Sequence, residues 1–133
     1  MLEQQPLVLV ANDDEAMRDA LQFALQLENF EVHVHRSGKD LLTDRDLLRA
    51  CCLILKDRMP DVDGIAVMHY LRERHLFPPA ILLTANATPG LRRQAASAGI
   101  RMVLEKPILG NALLESVLTI MCQPAPPGPR AVT

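Results

Sequence analysis

The chain lacks any apolar run near the roughly 20 residues that a membrane-spanning helix needs, and it lacks a basic, apolar leader with a small-residue cleavage site. Glu3 and Pro6 precede the first short apolar run instead. Neither export nor membrane insertion is expected. Cysteine is scarce: Cys51 and Cys52 are neighbours and Cys122 is the third, which excludes the spaced, even-numbered framework of a disulfide-stapled secreted domain. A reducing cytoplasm is the expected compartment. An excess of one charge is also missing, since 14 basic and 16 acidic residues leave a formal net charge of -2, so neither nucleic acid nor membrane is an expected partner. No internal repeat is visible. A length of 133 residues fits one hydrophobic core and little more, so any output is expected from this domain or from a partner.

What is present is an alternation of short apolar runs, bounded by turn residues, with longer stretches of helical periodicity. That is the order of βα units around a parallel sheet. Leu7 to Ala11 opens the series, and Asp14 can cap a first helix with Met17, Leu21, Ala24 and Leu25 inward, ending near Asn29. Val32 and Val34 alternate with His33 and His35, as in a strand exposed on one side. Leu41, Leu42, Leu47 and Leu48 indicate a second helix, interrupted by the polar stretch Thr43 to Asp46. Cys51 to Leu55 is apolar throughout, as a central parallel strand covered on both faces requires.

Beyond a loop marked by Pro60 and Gly64, Ile65, Met68, Leu71 and Leu76 fit the face of a third helix. Ala80 to Leu83 reads as a fourth strand. Thr88 followed by Pro89 starts a fourth helix, because the hydroxyl can cap free N–H groups and proline in the first turn loses no bond. Gly99 ends it. Ile100 to Leu104 supplies a fifth strand, and Leu113, Leu114, Val117, Leu118 and Met121 the buried stripe of a fifth helix. The expected domain is α/β and spans residues 1–122. From Gln123 onward the prolines and a glycine forbid helix and leave little to bury, so 123–133 is expected as a mobile tail.

In an open parallel sheet, chemistry gathers at the carboxyl ends of the strands. Strand one ends there in Asn12, Asp13 and Asp14, strand three in Lys56 and Asp57, strand four in Thr84, and strand five in Glu105 and Lys106 before Pro107. Adjacent carboxylates, a hydroxyl and an ammonium can together hold an oxygen-liganded divalent ion and a phosphoryl group. Taken alone, Asp13-Asp14 is read equally well as a helix cap.

These pieces, in this order, resemble the receiver domain of bacterial two-component response regulators from Leu7 to about Cys122. Val10-Ala-Asn-Asp-Asp-Glu15 looks like that family's acidic pair, and Met59-Pro60-Asp-Val-Asp-Gly64 is similar to the segment after its phosphoacceptor. Leu82-Leu-Thr-Ala85 resembles the strand bearing the hydroxyl residue, Ala98-Gly99 the turn before strand five, and Glu105-Lys-Pro107 the lysine with its proline. The resemblance implies a doubly wound, flavodoxin-like sheet of five parallel strands with five helices. It also implies that Asp13 and Asp14 would hold magnesium, Thr84 would bind the phosphoryl group, Lys106 would pair with it, and the Lys106-Pro107 bond would be cis.

One position departs from the family. The acceptor aspartate stands three residues before the Met-Pro pair, and counting back from Met59 gives Lys56; Asp57 is one position late. Neighbours on a strand face opposite ways, so Asp57 is expected to turn away from the site. An ammonium forms no acyl phosphate, and beside Asp13 and Asp14 it is expected to replace magnesium, with a pair attraction of roughly 4 kcal/mol at about 4 Å before desolvation is subtracted. No cofactor is then needed. Val103 also stands where the family keeps a switching aromatic residue.

The expected function is a stand-alone, phosphorylation-independent interaction module in a two-component pathway, not an enzyme. Its partners would be a histidine kinase or another two-component protein, and it would associate with itself through the face made by helix four, strand five and helix five. A second reading keeps a working phospho-switch with Asp57 as acceptor and Mg2+ as cofactor. A third, a phosphatase built on Asp61 and Asp63, is disfavoured because both follow Pro60 in a loop. His33, His35, His69 and His75 are expected on exposed surfaces without converging ligand partners, and Cys51 and Cys52 as small buried residues.

Overall fold

The computed structural model describes residues 5–106 and 112–122; the expected mobile tail and Pro107, whose bond is expected to be cis, lie outside the described residues. Five strands, β1 (Leu7–Ala11), β2 (Glu31–His35), β3 (Ala50–Lys56), β4 (Ala80–Thr84) and β5 (Met102–Glu105), alternate with five helices. These are α1 (Glu15–Leu27), α2 (Gly38–Leu42), α3 (Gly64–Glu73), α4 (Pro89–Ser97) and α5 (Ala112–Cys122). All strand pairs are parallel, in the order β2-β1-β3-β4-β5. The order reverses between β1 and β3, which opens a crevice at their carboxyl ends.

Strand alternation builds two cores. Leu9, Leu53, Leu55 and Leu82 meet α2, α3 and α4 through Leu41, Met68 and Ala95. Val8, Val10, Ile54 and Leu83 meet α1 and α5 through Leu21, Leu25, Val117 and Ile120. Because β1, β3 and β4 are covered on both faces, they need apolar residues at every position, which is why Cys52 to Leu55 reads as a continuous apolar run. Burial pushes the Cys52 thiol up to about 12, whereas Cys51 is only half-buried.

Three helices differ in detail from the sequence expectation. The second stops at Leu42 and is followed by a separate 3-10 turn, Leu47–Arg49, leaving Leu48 78% exposed. Asp44 Oδ1 accepts the N–H of Asp46, and this local bond competes with a continuing helix. In α5 the inward stripe is Leu113, Ser116, Val117 and Ile120, while Leu118 is exposed. In α1, Ala24 lies on the exposed side. The fourth helix starts as expected: Thr88 caps it through Leu91 N–H, Pro89 opens it, and Gly99, at φ +87°, follows its end.

Gly64 sets how closely α3 approaches the sheet. A Cβ there would lie 2.7 Å from the carbonyl oxygen of Lys56 and 2.6 Å from Leu82 Cδ1. The absent side chain lets α3 begin directly against the end of β3, with Gly64 N–H bonded to Asp57 O at 3.1 Å.

Candidate functional site

The crevice is built from strand ends. Asn12, fully buried, accepts the Asp14 N–H on Oδ1 at 2.9 Å, and its carbonyl accepts a bond from Arg18 at 2.8 Å. Asp14 is the N-cap of α1, accepting from Ala16 N–H at 3.0 Å and Met17 N–H at 3.3 Å. The two carboxylates therefore divide: Asp14 closes the helix end, and Asp13 faces across the crevice.

Lys56 Nζ donates to Asp13 Oδ1 at 2.6 Å. Asp13 is held below its ordinary value first by that bond, against a smaller opposing effect of burial, with the Lys56 and Lys106 charges adding to it. The side chains of Lys56 and Asp13 remain 25% and 35% exposed, so water screens them. The net worth of the pair is about 1 kcal/mol or less, well short of the bare attraction expected from sequence.

Asp57 is a correction. Alternation along a strand predicts that its side chain turns away, but β3 ends at Lys56 and the rule ends with it. The Asp57 N–H still bonds to Leu83 O at 2.8 Å, while its carboxylate swings to β4, where Oδ2 accepts the Thr84 hydroxyl at 3.1 Å. Lys56 and Asp57 thus both serve the crevice, with different partners. Thr84 is buried, and its oxygen also accepts Asn86 N–H at 3.2 Å. The more distant Asn86 carbonyl, at 3.4 Å, is the weaker acceptor for its single hydroxyl hydrogen.

Lys106 is anchored by its backbone N–H to Thr84 O at 2.8 Å, and its side chain lines, with Lys56, Asp57 and Thr84, a cleft of about 610 Å³. Glu105 Oε1 accepts Ala87 N–H at 3.3 Å, tying the β4–α4 loop to β5. The cleft thus joins the ammonium groups of Lys56 and Lys106 and the Arg58 guanidinium with the hydroxyls of Thr84 and Thr88 and the Asp57 carboxylate, a set suited to holding an anion against fixed positive charge.

Asp61 and Asp63 both serve helix starts. Asp61 accepts Lys39 N–H at 3.0 Å and Gly38 N–H at 3.3 Å, capping α2 from a distance, and Asp63 caps α3 through Ala66 N–H at 3.0 Å. The histidines divide too. His69 and His75 are exposed as expected, but His33 and His35 converge on Asp44. Their alternation on one strand was the available signal; Asp44, 11 residues beyond His33, was hidden in the polar stretch after α2.

The family model of the response regulator receiver domain matches residues 8–118. Among curated proteins, the chain is 32% identical over 114 residues to the C4-dicarboxylate transport transcriptional regulatory protein DctR of Rhodobacter capsulatus, covering 84% of this chain and 58% of that protein. It is 27% identical to the transcriptional regulatory protein FixJ of Rhizobium meliloti, covering 83% of this chain and 54% of FixJ. The chain therefore spans little more than half the length of these relatives. Among solved structures, the HemR receiver domain of Leptospira biflexa superposes with a TM-score of 0.84 at 19% identity, covering 93% of this chain and 100% of that one. Chemotaxis protein CheY4 of Vibrio cholerae gives 0.81 at 23%, covering 87% and 98%, and both likenesses show the fold. Among the described residues, no helix is long and apolar enough to cross a membrane. Together with the strand order and the polar strand ends around the cleft, the family match establishes that this chain belongs to the receiver domains of two-component response regulators.

Proposed function

We propose that this receiver signals by docking, without phosphotransfer, because Lys56 has taken the place of both metal and phosphoacceptor. The carrying observation is the 2.6 Å bond from Lys56 Nζ to Asp13 Oδ1. An oxygen-liganded magnesium ion needs carboxylate oxygens directed at one point. Here one oxygen of Asp13 is engaged by an ammonium, and one of Asp14 accepts two backbone N–H groups at the start of α1, so the residues present do not fit that ion. In this reading Thr84 and Lys106 are the phosphoryl ligands that the resemblance implies, supported by their sharing one cleft, and Asp57 supplies the carboxylate that the Thr84 hydroxyl meets. A fixed internal anion thus stands in for a transient one.

The partner in this reading is a histidine kinase or another two-component protein. The surface of α4, β5 and α5 offers Arg92, Arg93 and Leu118 to solvent, and supports association there, including with a second copy. Val103 is partly buried against the core on the α3 and α4 side and is too short to act as a reporter that swings.

A second reading is favoured by one contact: the Asp57 carboxylate does face Thr84, so it is placed to accept a phosphoryl group itself. Exposure to a small acyl-phosphate donor with magnesium, followed by intact-mass measurement, separates the two. Docking predicts no adduct on the native protein and an adduct on Lys56→Asp. A labile phosphate on the native chain, lost in Asp57→Ala, would replace the first reading by the second.

A further inference from the structure

Glu31, His33 and His35 occupy alternate positions of β2, so their side chains share one face of this edge strand. After α2 the chain returns across that face. His33 Nδ1 lies 3.0 Å and His35 Nε2 2.7 Å from the same oxygen, Asp44 Oδ2, and the Asp44 side chain is only 7% exposed. The second ring nitrogen of His33 is 3.0 Å from Glu31 Oε2, and Glu31 is in turn held by Arg49, 3.1 Å from both of its oxygens. Ligand atoms of His33, Asp44 and Asp46 all lie within 4.8 Å of one another.

We propose that His33, His35, Asp44 and Asp46 form a site for a divalent transition-metal ion of the zinc class, separate from the crevice at the ends of β1 and β3. Two imidazole nitrogens aimed at one carboxylate oxygen form the donor set that such ions select, whereas magnesium and calcium prefer oxygen alone. The outer contacts suit the same role. A metal-ligating histidine typically donates its other N–H to a carboxylate, which fixes the tautomer and the ring. Glu31 is placed to do this for His33, leaving the Nδ1 lone pair directed inward, and Arg49 fixes Glu31. Asp44 is oriented by Asp46 N–H on its other oxygen, at 2.8 Å.

Charge and distance agree with this assignment. Two neutral imidazoles and two carboxylates cancel a dication. Tetrahedral zinc, with bonds of about 2.0–2.1 Å, spaces its ligands by about 3.3 Å, so closing His33, Asp44 and Asp46 onto an ion takes a shift of about 1.5 Å at most, and His35, 2.7 Å from Asp44 Oδ2, joins them through a ring rotation. Asp46 is free to make it. It precedes the 3-10 turn without capping it through its side chain, and its ion pair with Arg49 is long, at 3.7 Å. Metal entry would replace the protons now shared between the rings and Asp44, and would lock residues 43–46 to β2.

The test titrates zinc, then cobalt, into the metal-free full chain, following heat release, the visible ligand-field band of cobalt and the unfolding midpoint. One equivalent should bind, cobalt should give the intense band of a four-coordinate site, and zinc should raise the midpoint with concentration. His33→Gln and His35→Gln keep an amide donor for Asp44, preserving the fold, and should each weaken binding at least about tenfold. Asp46→Asn leaves the hydrogen bonds around Asp44 Oδ2 intact and should weaken binding too. His69→Gln and His75→Gln should change nothing. Absence of stoichiometric binding, binding undiminished in both His33→Gln and His35→Gln, or binding lost in His69→Gln would overturn the assignment.

Discussion

Thr84 donates its hydroxyl hydrogen to Oδ2 of Asp57 across 3.1 Å, joining the residue after β3 to the last residue of β4. Lys56 and Lys106 line the same cleft as this bond. Its partners are therefore held by more than strand register. In the docking reading, this contact keeps Thr84 directed inward with no covalent event.

That contact can be measured as a coupling. Thr84→Val and Asp57→Ala, singly and together, form a double-mutant cycle in which urea unfolding should return a coupling energy of about 1 kcal/mol. Thr84→Val alone should cost more than the coupling, because Asn86 N–H also loses its acceptor. Strict additivity of the two substitutions would show that the bond contributes nothing.

The Lys56–Asp13 pair should be visible in acid. Asp13 is lowered from 3.8 in the folded protein, chiefly by the Lys56 hydrogen bond. A depressed folded value means that the contribution is fully present above about pH 4 and is lost as pH falls through the folded value. Lys56→Met should move the Asp13 carboxyl resonance back toward 3.8 in a carbon-detected titration. The change in unfolding free energy at neutral pH should stay within about 1 kcal/mol, since both groups are partly hydrated. An Asp13 titration unaltered by Lys56→Met would remove the basis for the proposed charge replacement.

Gly64→Ala tests the close approach of α3. The new Cβ meets a flexible Leu82 methyl, which can move, and the Lys56 carbonyl, which cannot move without disturbing the end of β3. A loss of about 1–3 kcal/mol is expected in chemical denaturation. Amide shifts should spread to Lys56 and Asp57, because Gly64 N–H bonds to the Asp57 carbonyl. A neutral result would mean that α3 has room to retreat.

Much of this was legible from residue order alone. Continuous apolar runs marked β1, β3 and β4, and Thr88-Pro89 marked the start of α4, because burial on both faces and helix capping are local demands on sequence. The crevice residues followed from strand ends. Less legible were features set by a distant partner or by the end of an element. Asp57 stands in the sequence as the alternative acceptor, but its inward direction is not legible there, because strand alternation ends at Lys56. The His33–Asp44–His35 cluster escaped because a loop beyond α2 folds back over β2, a tertiary placement that the polar run Thr43 to Asp46 does not announce. The second helix is shorter than its leucine repeat suggests, because the Asp44 side chain accepts Asp46 N–H in a local turn.

Asp61 offers a last test, because it caps a helix to which it is not joined in sequence. Burial pushes its carboxyl up, but the N–H groups of Lys39, Val62 and Gly38 outweigh that effect and leave it below its ordinary value. Its contribution should therefore be present above that ordinary value of 3.8 and disappear as the pH falls through the lower, folded one. With only five residues, α2 has little cohesion of its own, so this carboxylate should decide whether its first turn stays closed. Asp61→Ala should destabilise the domain by about 1 kcal/mol and speed hydrogen exchange at Gly38 and Lys39 more than elsewhere, whereas Asp61→Asn, which keeps an acceptor, should retain part of the protection. Uniform acceleration across the whole sheet would instead mean that α2 opens only with global unfolding.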